Sequence, residues 1–237
     1  MPTPTFRRGH APHYFRPQTM EQGMESVVGG LTMDGKPAAS YKDRWEIETA
    51  YFTEAILRHL PNIRTPFGCK ILDYGCGCGR IAKALLGKGQ EIGRRLHITG
   101  VDPSVEQLKL AVEYVGNEQR FVVATPERLH SDYRVDAAVC VYVLQHVPAV
   151  ELRDAIRIVA NALPPGGPLI YVNADVRSAM RFDKANEFFD DRFLGVNVVS
   201  EVEKYFGRPT PLFDKPAKEV WLQKLVGMHR NVVYRRL

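Results

Sequence analysis

Asp73, the glycines at positions 75, 77 and 79, Asp102 and His146 are the residues whose types and spacing suit chemistry. The glycines stand at every second place after an apolar run that ends in an acid: Lys70-Ile71-Leu72-Asp73-Tyr74-Gly75-Cys76-Gly77-Cys78-Gly79-Arg80. A strand that enters a tight glycine turn and leaves as a helix brings bare backbone up to a ligand. A dinucleotide fingerprint needs glycine at the first, third and sixth places of that turn, and here the sixth is Arg80. A phosphate-cradling loop would end in Gly-Lys-Ser/Thr, which the turn does not contain. Asp73, at the end of the strand, would repel a pyrophosphate and attract a cationic group such as an amine or a sulfonium. The alternative at this point is a glycine-rich turn with no ligand.

The elements that must position these residues alternate strand and helix. A helical pattern over 43–60 places Ile47, Ala50, Tyr51, Phe52, Ala55, Ile56 and Leu60 on one side and stops at Pro61. Strand 69–74 and a helix over 80–86, ended by Gly87 and Gly89, flank the turn. A second strand over 96–102 is followed by Ser104 and Gln107, a capping box for a helix with Val105, Leu108, Ala111, Val112 and Val115 as its buried stripe. Strands over 120–124 and 135–143, a helix beginning near Pro148, the turn Pro164-Pro165-Gly166-Gly167 and a strand over 169–173 complete the series. The 135–143 run is nearly all apolar, as befits a strand covered on both faces of a parallel sheet. A helix is expected over 198–206, and a strand pair over 220–226 and 230–234 joined through Gly227. Asp73 to Gly79, Asp102, Thr125 to Glu127 and Tyr142 to His146 all fall at the carboxyl ends of strands, where such sheets bind ligands.

Composition narrows the class. At 237 residues and 45% apolar, the chain suits one globular domain with additions. No apolar run approaches the roughly 18 residues of a membrane span. Arg7 and Arg8 are followed by no apolar core or small-residue cleavage site, so no signal peptide is expected. Cys69, Cys76, Cys78 and Cys140 form no framework, and Cys76-x-Cys78 lacks the spacing and second pair of a zinc site. Small reduced side chains, and hence a cytoplasmic location, are the expectation. The net charge of +5 sits partly at the ends, with Arg7, Arg8 and Arg16 near one and Lys224, Arg230, Arg235 and Arg236 near the other. These read as solvated tails rather than a nucleic-acid surface. Residues 1–40 are expected to form a flexible arm with one short helix near 21–28, and 41–237 the folded domain.

With these residues in place, the chain resembles the class I S-adenosylmethionine-dependent methyltransferases, closest to the small-molecule type with a Leu-x-His-Val phrase after strand 4. Ile71-Leu72-Asp73-Tyr74-Gly75-Cys76-Gly77-Cys78-Gly79 is similar to that family's first motif, Val101-Asp102-Pro103-Ser104 to its second-strand acid, and Pro164-Pro165-Gly166-Gly167 to the turn before its fifth strand. The resemblance implies a Rossmann-like, doubly wound α/β fold: a mostly parallel seven-stranded sheet with an antiparallel last strand and helices on both faces. It implies S-adenosyl-L-methionine as cofactor, with Asp73, Tyr74, Gly75, Cys76, Gly77 and Gly79 along its methionine part and Asp102 and Pro103 at the ribose. Thr125, Pro126 and Glu127 would lie near the adenine, with Thr125 where the family usually has an acid. Cys140, Val141 and Gln145 would lie beside the cofactor at the end of strand 4. Arg44, behind Tyr41, would either pair with the methionine carboxylate or remain a solvated helix-start arginine.

Methyl transfer from a sulfonium is an in-line displacement that rests on alignment, and a hydroxyl or amine acceptor needs a base. His146 is the candidate base, against a structural histidine; Tyr142 either orients the acceptor or packs in the sheet. Cys140-Val141-Tyr142-Val143 lacks the Asn/Asp-Pro-Pro-Tyr/Phe signature of exocyclic-amine nucleic-acid enzymes, so a nucleic-acid acceptor is disfavoured. The expected partner is a small-molecule acceptor methylated on oxygen or nitrogen, with residues 175–210 as an acceptor-site insertion or cover. The alternative is a non-catalytic binder of the same cofactor, or of a partner, on this fold.

Overall fold

The computed structural model describes residues 17–28, 44–63, 66–116, 118–144, 147, 149–174, 198–218, 220, 222–223 and 229–237. Helix α1 (Met20–Val28) and a π-helical turn (Arg44–Glu48) lead into α2 (Thr49–His59). Then follow β1 (Cys69–Tyr74), α3 (Arg80–Glu91), β2 (Leu96–Val101), α4 (Val105–Val115) and β3 (Phe121–Ala124). After a 3-10 turn (Pro126–Arg128) come β4 (Ala137–Val141), α5 (Ala149–Ala162), β5 (Pro168–Ala174), α6 (Val198–Val202), β6 (Thr210–Pro211) and β7 (His229–Arg235). The strands form one seven-stranded sheet in the order β3-β2-β1-β4-β5-β7-β6. The first five run parallel; β7 pairs antiparallel with β5, and β6 with β7. This is the expected doubly wound architecture. Its switch in strand order lies between β1 and β4, so the ligand crevice opens where Asp73 and Val141 end their strands.

Strand alternation builds a core on each face. Ile71, Ile98, Ala137, Val139 and Ile170 pack with Phe52, Ala55 and Ile56 of α2 and Ile81, Ala82 and Leu85 of α3. Leu72, Tyr74, Val101, Ala138 and Tyr171 pack on the other face with Leu152, Ile156 and Val159 of α5 and Val198 and Val202 of α6. The four cysteines are free and buried. Burial pushes the thiols of Cys69 and Cys78 up to about 12, so they behave as small apolar side chains. Among the described residues no group of histidines, cysteines and acids could hold a metal, and no helix is long and apolar enough to cross a membrane.

Several local expectations are corrected. Gly87 and Gly89 do not end α3, which runs to Glu91 and stops before Gly93 at φ 69°. A Cβ on Gly89 would meet Leu96 at 2.8 Å, so tertiary packing uses the missing side chain and outweighs the roughly 1 kcal/mol helix cost. Val105 and Val112 are 50% and 49% exposed; α4 instead buries Gln107, Leu108, Leu110 and Ala111. Ser104 caps α4 as expected, its hydroxyl accepting from Gln107 N at 3.1 Å. Strand β4 is shorter than the 135–143 run because Tyr142 takes a left-handed φ of 60°. α6 ends at Val202 rather than at 206, and β7 pairs with Thr210–Pro211, not with 220–226. Residues 220 and 222–223 are helical, and 224–228 lie outside the described residues. Two of the C-terminal arginines are not simply solvated: Arg236 donates to the carbonyls of Ala160 and Tyr205, and Arg230 pairs with Glu203, whereas Arg235 is exposed.

Candidate cofactor site

The turn after β1 adopts left-handed backbone at each glycine, with φ of 75° at Gly75, 52° at Gly77 and 84° at Gly79. Only glycine takes such angles without strain, which explains the spacing of every second residue. Close packing adds a second constraint. A Cβ on Gly75 would lie 2.3 Å from a Val143 methyl, and one on Gly79 would sit 3.2 Å from Ala111. Cys76 fills the space above Gly100, whose own Cβ would come within 2.9 Å of the Cys76 sulfur.

The turn satisfies its own amides. Gly75 N and Cys76 N both donate to Val101 O, at 2.6 and 3.0 Å. Gly77 N donates to Asp102 Oδ2 at 3.0 Å, and Gly79 N to Cys76 O at 3.0 Å. A pyrophosphate nest needs such N–H groups aimed outward. Here four of them are spent on β2 and on the turn itself, which agrees with the argument from Arg80 against a dinucleotide.

Two carboxylates lie against this turn. Asp102 has both oxygens engaged, Oδ2 by Gly77 N and Oδ1 by Ser104 N at 2.9 Å. It thereby ties the glycine turn to the cap of α4. Burial pushes its carboxyl up to about 6, while the two N–H donors pull the other way. Asp73 is 3% exposed, and its Oδ2 is buried with no hydrogen-bond partner. Burial pushes its carboxyl up to about 7; the Asp102 charge adds to this and the Arg80 guanidinium opposes it. A buried acceptor without a donor is costly, and natural sites keep one where a ligand supplies the donor.

Arg80, the residue that breaks the dinucleotide pattern, is a buried strut. Both its terminal nitrogens donate to Glu48 Oε1, at 3.2 and 3.3 Å, and its guanidinium lies 5.5 Å from the centre of the Trp45 ring. Trp45 in turn donates from Nε1 to the Tyr114 hydroxyl at 3.0 Å. Trp45, Cys78 and Leu110 form a small apolar cluster with Met20 and Met24 of α1. Gly23 brings α1 close enough that a Cβ there would touch Cys78 at 3.2 Å. The segment before the first strand therefore buttresses the back of the glycine turn.

Most sequence-nominated residues converge at this end of the sheet. Tyr74 and Cys140 belong to the core on the opposite face from Ile71, so only their backbones border the turn; burial holds both well above their ordinary ranges. Val141 is half-buried at the end of β4. Pro103 is exposed beside Asp102. Thr125, half-buried, accepts from Arg128 N through its carbonyl at 3.0 Å, and Pro126 opens the 3-10 turn with Glu127 exposed. Tyr142 packs edge-on to Phe52, ring centres 5.8 Å apart, and donates its N–H to Val172 O. Arg44 opens the π-helical turn, and its side chain, like Gln145 and His146, lies outside the described residues. Sequence reasoning missed Glu48 and Trp45. The available signal was an acid at 48 between the apolar Ile47 and Phe52, which only a buried cation could balance.

Comparison with known proteins agrees with this geometry. Residues 71–167 match the family described as a methyltransferase domain. The ubiquinone biosynthesis O-methyltransferase of Idiomarina loihiensis is 30% identical over 119 residues, which is 47% of this chain and 46% of that one. The chain thus spans about half the length of that relative. The enzyme of the same description from Cronobacter sakazakii is 26% identical over 72% of this chain and 69% of its own. Among solved structures, the PH0226 protein from Pyrococcus horikoshii shares the fold with a TM-score of 0.58 at 20% identity, covering 90% of this chain and 98% of that one. The N-methyltransferase NodS from Bradyrhizobium japonicum shares it with a TM-score of 0.53 at 15% identity, over 82% and 97%. Strand order, the glycine turn between two acids and these matches converge on a methyltransferase domain, matched over residues 71–167 of this chain.

Proposed function

We propose that this protein transfers the methyl group of S-adenosylmethionine to an oxygen or nitrogen atom of a small-molecule acceptor. The observation that carries the reading is Asp73 Oδ2, a buried carboxylate oxygen with no donor, beside a glycine turn that spends four of its amides within the protein. An ammonium fits there, and the amino acid part of this cofactor carries one. Asp73 would hold that ammonium. Asp102, whose oxygens each retain a lone pair after accepting one N–H, would take the ribose hydroxyls. Gly75 to Gly79 would line the methionine arm, and Thr125 to Glu127 the adenine side. When bound, the cofactor supplies an electrophilic methyl group on sulfur. The protein's part is then to align the acceptor, which can contribute roughly 7–11 kcal/mol, and to take up its proton. His146, soon after the end of β4, is the proposed base. Oxygen is favoured over nitrogen because the relatives named above are described as O-methyltransferases.

The test is a titration with S-adenosylmethionine, S-adenosylhomocysteine and NAD, followed by methyl transfer to a panel of small hydroxyl and amine compounds. Micromolar binding of the first two, none of NAD, and transfer to a member of the panel are expected. Tighter binding of NAD would overturn the cofactor assignment. Cofactor binding with no transfer across the panel would favour a non-catalytic binder.

A further inference from the structure

Glu48 and Arg80 form an ion pair whose side chains are 1% and 3% exposed, placed directly behind the glycine turn. Such a pair is expensive to bury, and replacing it with apolar residues is often neutral for stability. Its presence at this place asks for a reason beyond packing. Arg80 is the first residue of α3, immediately after Gly79, and its positive charge reaches Asp73. The other groups that act on Asp73 are Asp102, just after β2, and the Cys76 thiol of the turn, which burial keeps protonated; the Cys140 thiol lies on the opposite face of the sheet. Arg80 is therefore a buried cation whose charge acts on a carboxylate with an unpartnered oxygen, yet both its terminal nitrogens donate to Glu48 and its Nε has no hydrogen-bond partner.

We infer that Glu48 is a positioning residue that keeps Arg80 off Asp73 and so reserves the free oxygen of Asp73 for the ammonium of the cofactor. The inference rests on the cofactor reading above. Without the Glu48 charge, a buried guanidinium would seek the nearest carboxylate, and Asp73 has an open acceptor site. The arginine would then occupy the place of the ligand's ammonium. The Trp45 ring and the Thr49 hydroxyl, 3.5 Å from an Arg80 terminal nitrogen, complete the clamp that holds the guanidinium on its own side.

The experiment compares two ligands by calorimetric titration at pH 8: S-adenosylhomocysteine and its desamino analogue, which lacks only the α-ammonium. The wild-type protein should prefer the ammonium-bearing ligand by about 10- to 100-fold, the range of a charge-assisted hydrogen bond. In Glu48→Gln that preference should fall at least tenfold, because Arg80 satisfies Asp73. In the double variant Glu48→Gln/Arg80→Met the preference should recover well above that of Glu48→Gln, since no rival cation remains, but stop short of wild type, because Arg80 no longer opposes the protonation of Asp73. A purely structural role would weaken both ligands equally in Glu48→Gln, and that result overturns the inference. If Glu48→Gln does not fold, the charge-free double variant still decides: loss of the preference there would make the ion pair itself the ammonium's partner. A wild type that binds the ligands without any ammonium preference would overturn the role given to Asp73, and a wild type that binds neither would overturn the cofactor reading.

Discussion

Replacing Asp73 with asparagine should stabilise the ligand-free protein while crippling its hold on the cofactor. The side chain is buried, and its carboxyl is pushed from an ordinary 3.8 up to about 7. Asp102, held to about 6, ionises first, so its charge is in place when Asp73 gives up its proton. A raised folded-state value means that the native protein binds the Asp73 proton more tightly than the unfolded chain does. The associated stability is complete below about pH 4 and is lost as pH rises through about 7. A shift of about three units corresponds to about 4 kcal/mol, an upper bound because the site relaxes on ionisation. Asparagine never ionises and nearly preserves the shape, although its amide brings a donor that needs a partner. At about 2–4 °C per kcal/mol for a chain of this size, the ligand-free variant should melt above wild type at pH 8, by at most about 8–16 °C, and close to it at pH 4.5. Thermal melts of both proteins at the two pH values measure this. Equal Tm differences at both values would refute the reasoning, since they would show that Asp73 carries no buried-charge penalty. The same variant should bind S-adenosylhomocysteine about 10- to 100-fold more weakly at pH 8.

Three further changes probe other parts of the site. Gly75→Ala forces a Cβ to within 2.3 Å of Val143 at a φ of 75°, so stability should fall by about 2 kcal/mol or more, read as a lower urea midpoint with unchanged slope. Asp102→Ala removes the acceptor of Gly77 N and Ser104 N; cofactor affinity should fall at least tenfold, and the Gly77 amide should exchange with solvent faster by deuterium exchange. His146→Ala should lower kcat at least 100-fold while the dissociation constant for S-adenosylhomocysteine stays within twofold; unchanged turnover would remove it as the base.

What was legible in the sequence is what local rules dictate. Strand 69–74, the three-glycine turn and the Ser104 cap follow from short-range sterics and hydrogen bonding, and they stand where the residues put them. What was not legible depends on neighbours distant in sequence. Gly89 ends no helix because Leu96 packs against it. Val105 and Val112 carry the right period for a buried stripe, yet α4 has β3 and α3 for neighbours and turns Gln107 and Leu110 inward instead. The Thr210–Pro211 strand is too short to leave a pattern; only its pairing with Val232 and Val233 reveals it. At the site, Asp73 and Asp102 were legible as acids at strand ends. That one would keep an oxygen unpartnered and the other accept an N–H on each oxygen was not, since hydrogen-bond accounting needs coordinates.

Arg80 joins these observations. Read from sequence, it is only the missing third glycine of a dinucleotide turn. In the fold, that glycine would let a helix approach the strand closely, whereas here the space is taken by a guanidinium sandwiched between Glu48 and Trp45. The change has consequences on both sides of the turn. Behind it, the charge recruits a buried acid and an aromatic ring from the segment before β1, so that α1 and the π-helical turn become part of the cofactor scaffold. In front of it, four of the turn's amides are spent within the protein, and Asp73 holds out an unpartnered acceptor. The same residue that breaks the dinucleotide fingerprint also sets the positive charge that must be held away from Asp73. Selectivity for a cationic ligand then depends on three residues acting together, with Asp73 offering the oxygen, Arg80 restraining its proton affinity, and Glu48 keeping Arg80 from filling the vacancy itself.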